Sequence, residues 1–255
     1  MAQGLSTAGA RSDYPSSSSS HLEMIQETDL VSLKPSKGKL DLIRLDDWIP
    51  REELYSDQIV DDIRLSVFHE MMIRLGDIIG AILGLIVFLP LFICIALAIR
   101  LTSRGPAIYK QKRVGKRGRV FVLYKFRTML NDSEEIWGFK PATENDERIT
   151  VIGRFLRKTR LDELPQLMNV LKGDMSLVGP RPENLYRVSV HKALRGVRLA
   201  VRPGITGLAQ IRALYDVKPE HKIKYDYIYI QNRSVLLNWY IIFRTIPVLI
   251  RKTGW

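Results

Sequence analysis

RKTRLDELPQLMNVLKGDMSLVGPRPE, residues 157 to 183, is the stretch from which the rest of the chain is best read. Leu164, Leu167, Met168 and Leu171 recur at i, i+3, i+4 and i+7, which predicts a short amphipathic helix stopped by Gly173. Asp162 then falls at or near the N-cap, where it can accept from a free backbone N–H, and Pro165 is tolerated because first-turn N–H groups have no partner within the helix. The plain reading of Asp162 is therefore a cap. A second reading, compatible with the first, starts from its neighbours. Asp162 and Glu163 are adjacent acids with Arg157, Lys158 and Arg160 before them and Arg181 after the helix, beside a helix terminus that favours anions. Two carboxylates in that setting can hold a divalent cation while the arginines take phosphate oxygens.

Working outward, residues 153 to 160 read as a basic helix leading to the acid pair, with Arg157 five residues before Asp162. After the central helix, Gly179-Pro180-Arg181-Pro182-Glu183 predicts a rigid loop, because two prolines restrict the backbone and hold Arg181 in one orientation. Glu183 is also placed to cap a following helix over residues 184 to 194. Residues 202 to 210, RPGITGLAQ, have the glycine content either of a structural turn or of a loop that approaches a ligand closely. Upstream, AIYKQKRV and RVFVLYKFRT within residues 107 to 128 are β-rich runs separated by Gly115-Lys116-Arg117-Gly118, a hairpin signal. Its Lys116, Arg117 and Arg119 suit a solvated turn. Residues 131 to 150 are polar and acidic and read as a surface helix and loop over the site.

The run from Ile78 to Ile99 carries no charge and is long enough to reach across a bilayer. Pro90 lies in its middle and basic residues flank both sides, Arg74 before and Arg100 and Arg104 after. A segment kinked at the proline that returns to the same face would put both flanks in the cytoplasm; a single crossing is the other option. Leu89 stands before the proline, where a polar side chain could have re-satisfied the freed backbone. Near the C-terminus, Trp239, Tyr240, Phe243 and Arg244 suit an interfacial helix interrupted by Pro247.

Composition sets the outer bounds. The net charge of +12 is uneven: up to Arg74 there are 8 basic and 13 acidic residues, and after it 31 basic and 14 acidic. The basic part, which holds the motifs, fits an anionic membrane face or phosphorylated substrates. A nucleic acid partner is not expected, because no helix-turn-helix, zinc-finger or RNP signature occurs and a long apolar run does. Cys94 is the only cysteine, so neither an intrachain disulfide nor a cysteine-based zinc site can form. Four scattered histidines give little support to a histidine metal cluster or a Ser-His-Asp triad. Residues 1 to 40 are Ser-rich and lack signal-peptide organisation, which predicts a disordered tail. Residues 41 to 74 read as an acidic amphipathic arm, 75 to 103 as the membrane helix, and 104 to 255 as the domain that carries the motifs.

The string LDELPQLMNVLKGDMSLVGPRPE at 161 to 183 resembles the signature of the bacterial sugar transferases, the monotopic phosphoglycosyl transferases that start polysaccharide and glycoconjugate assembly on a polyprenyl phosphate. The likeness takes in the membrane segment before Arg100, YKQKRVG at 109 to 115, YKFRTM at 124 to 129 and RPGITGLAQI at 202 to 211, in the family's order. It implies an α/β membrane-associated fold: a re-entrant helix, a β-hairpin and amphipathic interfacial helices around a cytoplasmic catalytic core at the bacterial inner membrane. It also implies transfer of a sugar 1-phosphate from a nucleotide diphosphate sugar, with UDP expected, to undecaprenyl phosphate. Asp162 would be the nucleophile, with Glu163 beside it as a ligand or orienting neighbour for Mg²⁺. Lys125, Arg127, Arg157 and Arg181 would handle phosphate, supported by Pro182 and Glu183, and Arg202 and Gln210 would belong to the nucleotide or sugar pocket. Asn238 stands where the family often has an acid. A non-catalytic membrane-surface scaffold and a hydrolase releasing sugar phosphate are the competing functions. A homo-oligomer and downstream glycosyltransferases are partners the sequence leaves open.

Overall fold

The computed structural model describes residues 66–130, 143, 146–191, 194–212 and 219–250. The Ser-rich tail, most of the acidic arm and most of the polar stretch after Asn131 lie outside the described residues.

Helix α1, Val67–Thr102, begins eight residues earlier than the sequence suggests and runs through Pro90 as one element. Ser66 caps it, accepting from the His69 N–H. Among the described residues it is the one helix long and apolar enough to cross a membrane. Most of its apolar side chains are exposed, including Leu75, Ile79, Leu83, Ile86, Leu89, Ile93 and Leu97, while Ile73, Asp77, Ala81, Ile95 and Ile99 are buried. One stripe of α1 therefore docks on protein, and the rest presents an apolar surface compatible with a membrane.

The docked stripe meets two cores. Ala81 and Leu85 pack with Phe121, Leu123, Leu167, Val170 and Met175. Further along, Ile95 and Ile99 pack with Phe126 and Leu156. Two polar contacts fix the first half. Arg74 donates to the carbonyls of Val170 at 2.7 Å and Leu171 at 3.1 Å. Asp77 accepts from Ser176 Oγ at 2.9 Å and from the Leu177 N–H at 2.8 Å. Arg74, read from sequence as a membrane flank, thus satisfies C-terminal carbonyls of another helix.

The hairpin forms as expected, with β1 (Ile108–Val114) antiparallel to β2 (Val120–Phe126) and Tyr109 opposite Lys125. Helix α2 covers Val151–Thr159, and a 3₁₀ turn at Leu161–Glu163 leads into α3, Gln166–Lys172. Gly173 ends α3 in the left-handed conformation at φ 86°, the stop read from sequence. The buried face of α3 is rotated from the leucine stripe: Gln166, Leu167, Asn169 and Val170 are buried, while Met168 is 44% exposed. Asn169 explains the rotation. It is fully buried, accepts from the Tyr124 N–H at 3.0 Å and donates to the Val122 carbonyl at 2.6 Å, so it satisfies the free edge of β2.

Strands β3 (Ser176–Val178) and β4 (Gly204–Thr206) pair in parallel. The glycines of RPGITG serve this pairing: a Cβ on Gly204 would lie 2.0 Å from the Gly179 nitrogen, and one on Gly207 2.3 Å from the Gly179 oxygen. Backbone meets backbone there, which favours the turn reading of these glycines. Between the two strands lie α4 (Leu185–Val190) and a 3₁₀ turn at Gly196–Ala200. Helices α5 (Leu208–Arg212), α6 (Pro219–Gln231) and α7 (Val235–Ile250) complete the described chain. Leu236, Trp239, Tyr240, Phe243 and Ile246 are exposed on α7, while Ile241 is buried. Asn238 is buried on the inner side and accepts from the Tyr229 hydroxyl at 3.0 Å.

Replacing Asn169 with Ala leaves a buried N–H and C=O of β2 unpaired. We expect a loss of about 2 kcal/mol in stability, measured by thermal unfolding of the detergent-solubilised protein against the wild type.

Candidate active site

The acid pair sits at a backbone turn that the sequence does not announce. Arg160 ends α2 with φ 56°, a left-handed conformation uncommon for a non-glycine residue. The chain then turns through Leu161–Glu163 into α3, whose N-cap position belongs to Pro165, with no side-chain cap. The cap reading of Asp162 is therefore overturned. The reason lies in the backbone: the N–H groups of Glu163, Leu164, Leu167 and Met168 donate to Arg160, Leu161, Leu164 and Pro165, which leaves Asp162 nothing to cap. Its side chain is free for other work.

Asp162 and Glu163 are only 8% and 7% exposed. Burying adjacent carboxylates is costly unless cations balance them. Glu163 takes most of that balance. Lys125 Nζ lies 3.0 Å from its Oε1, and Arg181 donates to the same oxygen at 2.7 Å and to Oε2 at 3.5 Å. Asp162 has Lys125 at 3.9 Å, beyond hydrogen-bond reach. Burial works to raise the Glu163 pKa, but Arg181, Lys125 and Arg160 outweigh it and hold this carboxyl well below the ordinary range. For Asp162, burial dominates and raises its pKa; Glu163 adds to the effect, while Lys125, Arg181 and Arg157 oppose it. The two acids are thus differentiated: Glu163 gathers cations, and Asp162 is the more basic carboxylate.

The cations come from three separate segments. Lys125 is on β2, Arg157 and Arg160 end α2, and Arg181 rises from the Pro-Arg-Pro loop. Arg157 is held by a bond from its Nε to Thr128 Oγ1 at 2.9 Å. Arg113 on β1 joins the group, donating to Gln111 Oε1 and to the Pro182 carbonyl at 3.4 Å. Buried Pro182 acts through the loop, and its carbonyl receives Arg113.

The other residues singled out from sequence lie elsewhere or work indirectly. Arg127 turns back to the end of α1, donating to the carbonyls of Arg104 at 2.6 Å and Ser103 at 2.9 Å. Arg202 donates to the Gly173 carbonyl at 3.0 Å, at the C-terminal end of α3 and so the opposite end from the acid pair. Glu183 does not cap α4; Asn184 does, accepting from the Arg187 N–H. Glu183 instead pairs with Arg187 at 3.1 Å and approaches Arg198 at 3.9 Å. Gln210 lines a cavity that also touches Glu163, and its amide atoms are buried without a partner.

Arg198 and Asp226 belong to the site without any signal in the sequence. Buried Arg198 donates to the Arg181 carbonyl at 2.5 Å and to Asp226 Oδ2 at 2.8 Å, which holds the Pro-Arg-Pro loop from below. They lie 28 residues apart, and no periodicity links them.

Among the described residues no group of three or more His, Cys, Asp or Glu side chains could hold a metal. Both Glu163 oxygens face cations, so Glu163 does not fit the role of metal ligand. Asp162 fits only as a single carboxylate ligand to Mg²⁺ that arrives with substrate phosphates, a common mode for that ion.

Comparison with known proteins decides the family. Residues 68–252 match the model of the bacterial sugar transferase family, which is most of the chain. The chain belongs to this family. Among similar members are UDP-N-acetylgalactosamine-undecaprenyl-phosphate N-acetylgalactosaminephosphotransferase of Aeromonas hydrophila, 43% identical over 186 residues, 70% of this chain and 43% of that protein. The undecaprenyl-phosphate galactose phosphotransferase of Salmonella typhimurium is 42% identical over 59% of this chain and 34% of its own length. The exopolysaccharide production protein PSS of Rhizobium leguminosarum bv. phaseoli is 41% identical over 68% of this chain and 92% of its own. This family member thus spans less than half of the first two relatives and nearly the whole of the third.

The differentiation of the acid pair has a thermal consequence. Asp162 binds its proton more tightly in the fold than in the unfolded chain, so its ionisation opposes folding at neutral pH, and that penalty fades on acidification. Glu163 does the reverse, adding stability that is present above the ordinary glutamate pKa and lost as pH falls. At pH 7 we expect Asp162→Asn to raise Tm and Glu163→Gln to lower it, each by roughly 2–4 °C, the shift that about 1 kcal/mol produces at this size. Differential scanning calorimetry at pH 7 checks both signs.

Proposed function

We propose that the protein transfers a sugar 1-phosphate from a nucleotide diphosphate sugar, with UDP as the expected nucleotide, to undecaprenyl phosphate. The observation that carries this reading is the buried acid pair inside a ring of Arg113, Lys125, Arg157, Arg160 and Arg181. The positive excess suits an anionic substrate, and Asp162 is the one acid not clamped by it. The activities for which the relatives are named point the same way. Intact acid and cation machinery disfavours a scaffold without turnover.

In this reading an Asp162 oxygen attacks the phosphorus bearing the sugar. The bond to the bridging oxygen breaks, and the nucleoside monophosphate leaves with that electron pair. A phosphate oxygen of the prenyl acceptor then attacks the same phosphorus, and Asp162 departs as carboxylate. A carboxylate of raised basicity is a better nucleophile than an ordinary one, and its acyl phosphate is reactive enough to pass the group on. Lys125 and Arg181, fixed by Glu163, stabilise charge on the transferring phosphoryl oxygens. Mg²⁺, where bound with the diphosphate, supplies further neutralisation between carboxylate and substrate.

Placement of α1 bears on topology. Its contacts with the domain run from Ile73 to Ile99, about 39 Å along a helix axis. A crossing would put those two ends on opposite sides of roughly 30 Å of hydrocarbon. Contacts at both ends with one domain instead favour a helix that enters the lipid and stays with the cytoplasmic side, the re-entrant form, at the bacterial inner membrane.

Purified protein with Mg²⁺, a UDP-sugar and undecaprenyl phosphate is expected to release UMP and form an organic-extractable sugar lipid. Asp162→Asn should lower turnover by at least about 10³-fold; a folded, active Asp162→Asn protein would remove Asp162 as nucleophile. For topology, in a Cys94→Ser background, Ser66→Cys and Ser103→Cys should both react with an impermeant maleimide from the cytoplasmic side only. Labelling of the two from opposite sides would establish a crossing.

A further inference from the structure

Between the acid pair and α7 lies a cavity of about 140 Å³. Its walls are Leu164 and Leu167 of the dyad segment, Ile205 and Ile211 around β4 and α5, and Val248 and Leu249 of α7. Arg160 and Glu163 stand at one side of it. Thr206 and Thr245 also touch it, but their hydroxyls bond each other at 2.7 Å, and Thr245 bonds the Ile241 carbonyl. The Gln210 amide atoms have no exposed surface, so the cavity presents almost only hydrocarbon.

We propose that this cavity seats the isoprene unit next to the phosphate of the prenyl acceptor. This rests on the transfer reading above. Three observations commit it to that occupant. A nucleobase or sugar ring placed here would leave its polar edge unpaired, at about 1–3 kcal/mol per group, whereas a five-carbon hydrocarbon leaves nothing unpaired. The size fits one unit, since a cavity of about 150 Å³ takes a benzene ring. The position joins the two environments such a lipid needs: guanidinium and acid on one side, and on the other α7, whose far face exposes Leu236, Trp239, Phe243 and Ile246. The cavity thus sets the depth at which the acceptor phosphate meets Asp162, and recognition falls on the first unit of the chain and not on its length.

The test separates donor from acceptor. Leu249→Trp and Ile205→Phe each add bulk to the cavity and leave every residue of the cation ring unsubstituted. With the full chain in detergent, single-turnover formation of the sugar-phosphate adduct on Asp162, read by mass spectrometry without acceptor, is expected at the wild-type rate. KM for undecaprenyl phosphate is expected to rise about tenfold or more. Direct binding by calorimetry adds an arm that needs no turnover: wild type should bind dimethylallyl phosphate at least about tenfold tighter than methyl phosphate, and both variants should lose that margin. A rise in KM for the nucleotide sugar, or a slowed adduct, would assign the cavity to the donor and overturn the proposal. So would an unchanged acceptor KM in either folded variant. If wild type forms no adduct or product yet shows the prenyl margin, the transfer reading fails and the cavity assignment stands; equal binding of the two phosphates would sink the cavity assignment alone.

Discussion

Two carboxylates buried side by side are the constraint on which this structure turns. Left alone they would not ionise together at neutral pH. Here Lys125 from the hairpin and Arg181 from the Pro-Arg-Pro loop converge on Glu163 and hold its carboxyl in the charged form. Everything that holds those two cations is in turn required. Asn169 ties β2 to α3, Arg198 holds the Arg181 carbonyl, and the Gly179 contact with β4 fixes the root of the loop. The Arg181 side chain is 43% exposed, so solvent screens part of its pair with Glu163, while Lys125 at 18% is less screened.

How much of this could be read from residues alone differs by element. The hairpin, the helix before the acids, the helix after them and its glycine stop are local events, set by alternation, periodicity and turn chemistry, and they stand where the sequence puts them. Asp162, Glu163, Lys125, Arg157 and Arg181 gather as a group because their motif holds them close in sequence or on an adjoining strand. The failures have a common cause. Arg127, Arg202 and Arg74 look alike to any reading of charge, yet each ends on backbone carbonyls at an element terminus, a destination decided by packing over tens of residues. The face of α3 was misjudged because a buried asparagine breaks the leucine stripe. The cap reading of Asp162 failed because Arg160 takes a left-handed conformation that no propensity assigns to arginine.

That same arginine shows how geometry and charge are combined. A left-handed arginine carries a conformational penalty of about 1 kcal/mol, yet it redirects the chain into the turn that buries both acids, and α3 begins without a side-chain cap. A glycine would turn as easily but would bring no cation beside Glu163.

The capping of α3 by Arg74, together with the seating of Asp77 on β3, bears on how the protein is made. The long apolar helix is synthesised before the domain whose backbone it completes. Its stripe from Ile73 to Ile99 is therefore bare until the later segments condense onto it. A fragment lacking α1 would expose the carbonyls of Val170 and Leu171 and strip one wall from two cores. The apolar helix and the domain it docks on are one folding unit, so trimming the helix leaves no intact catalytic fragment.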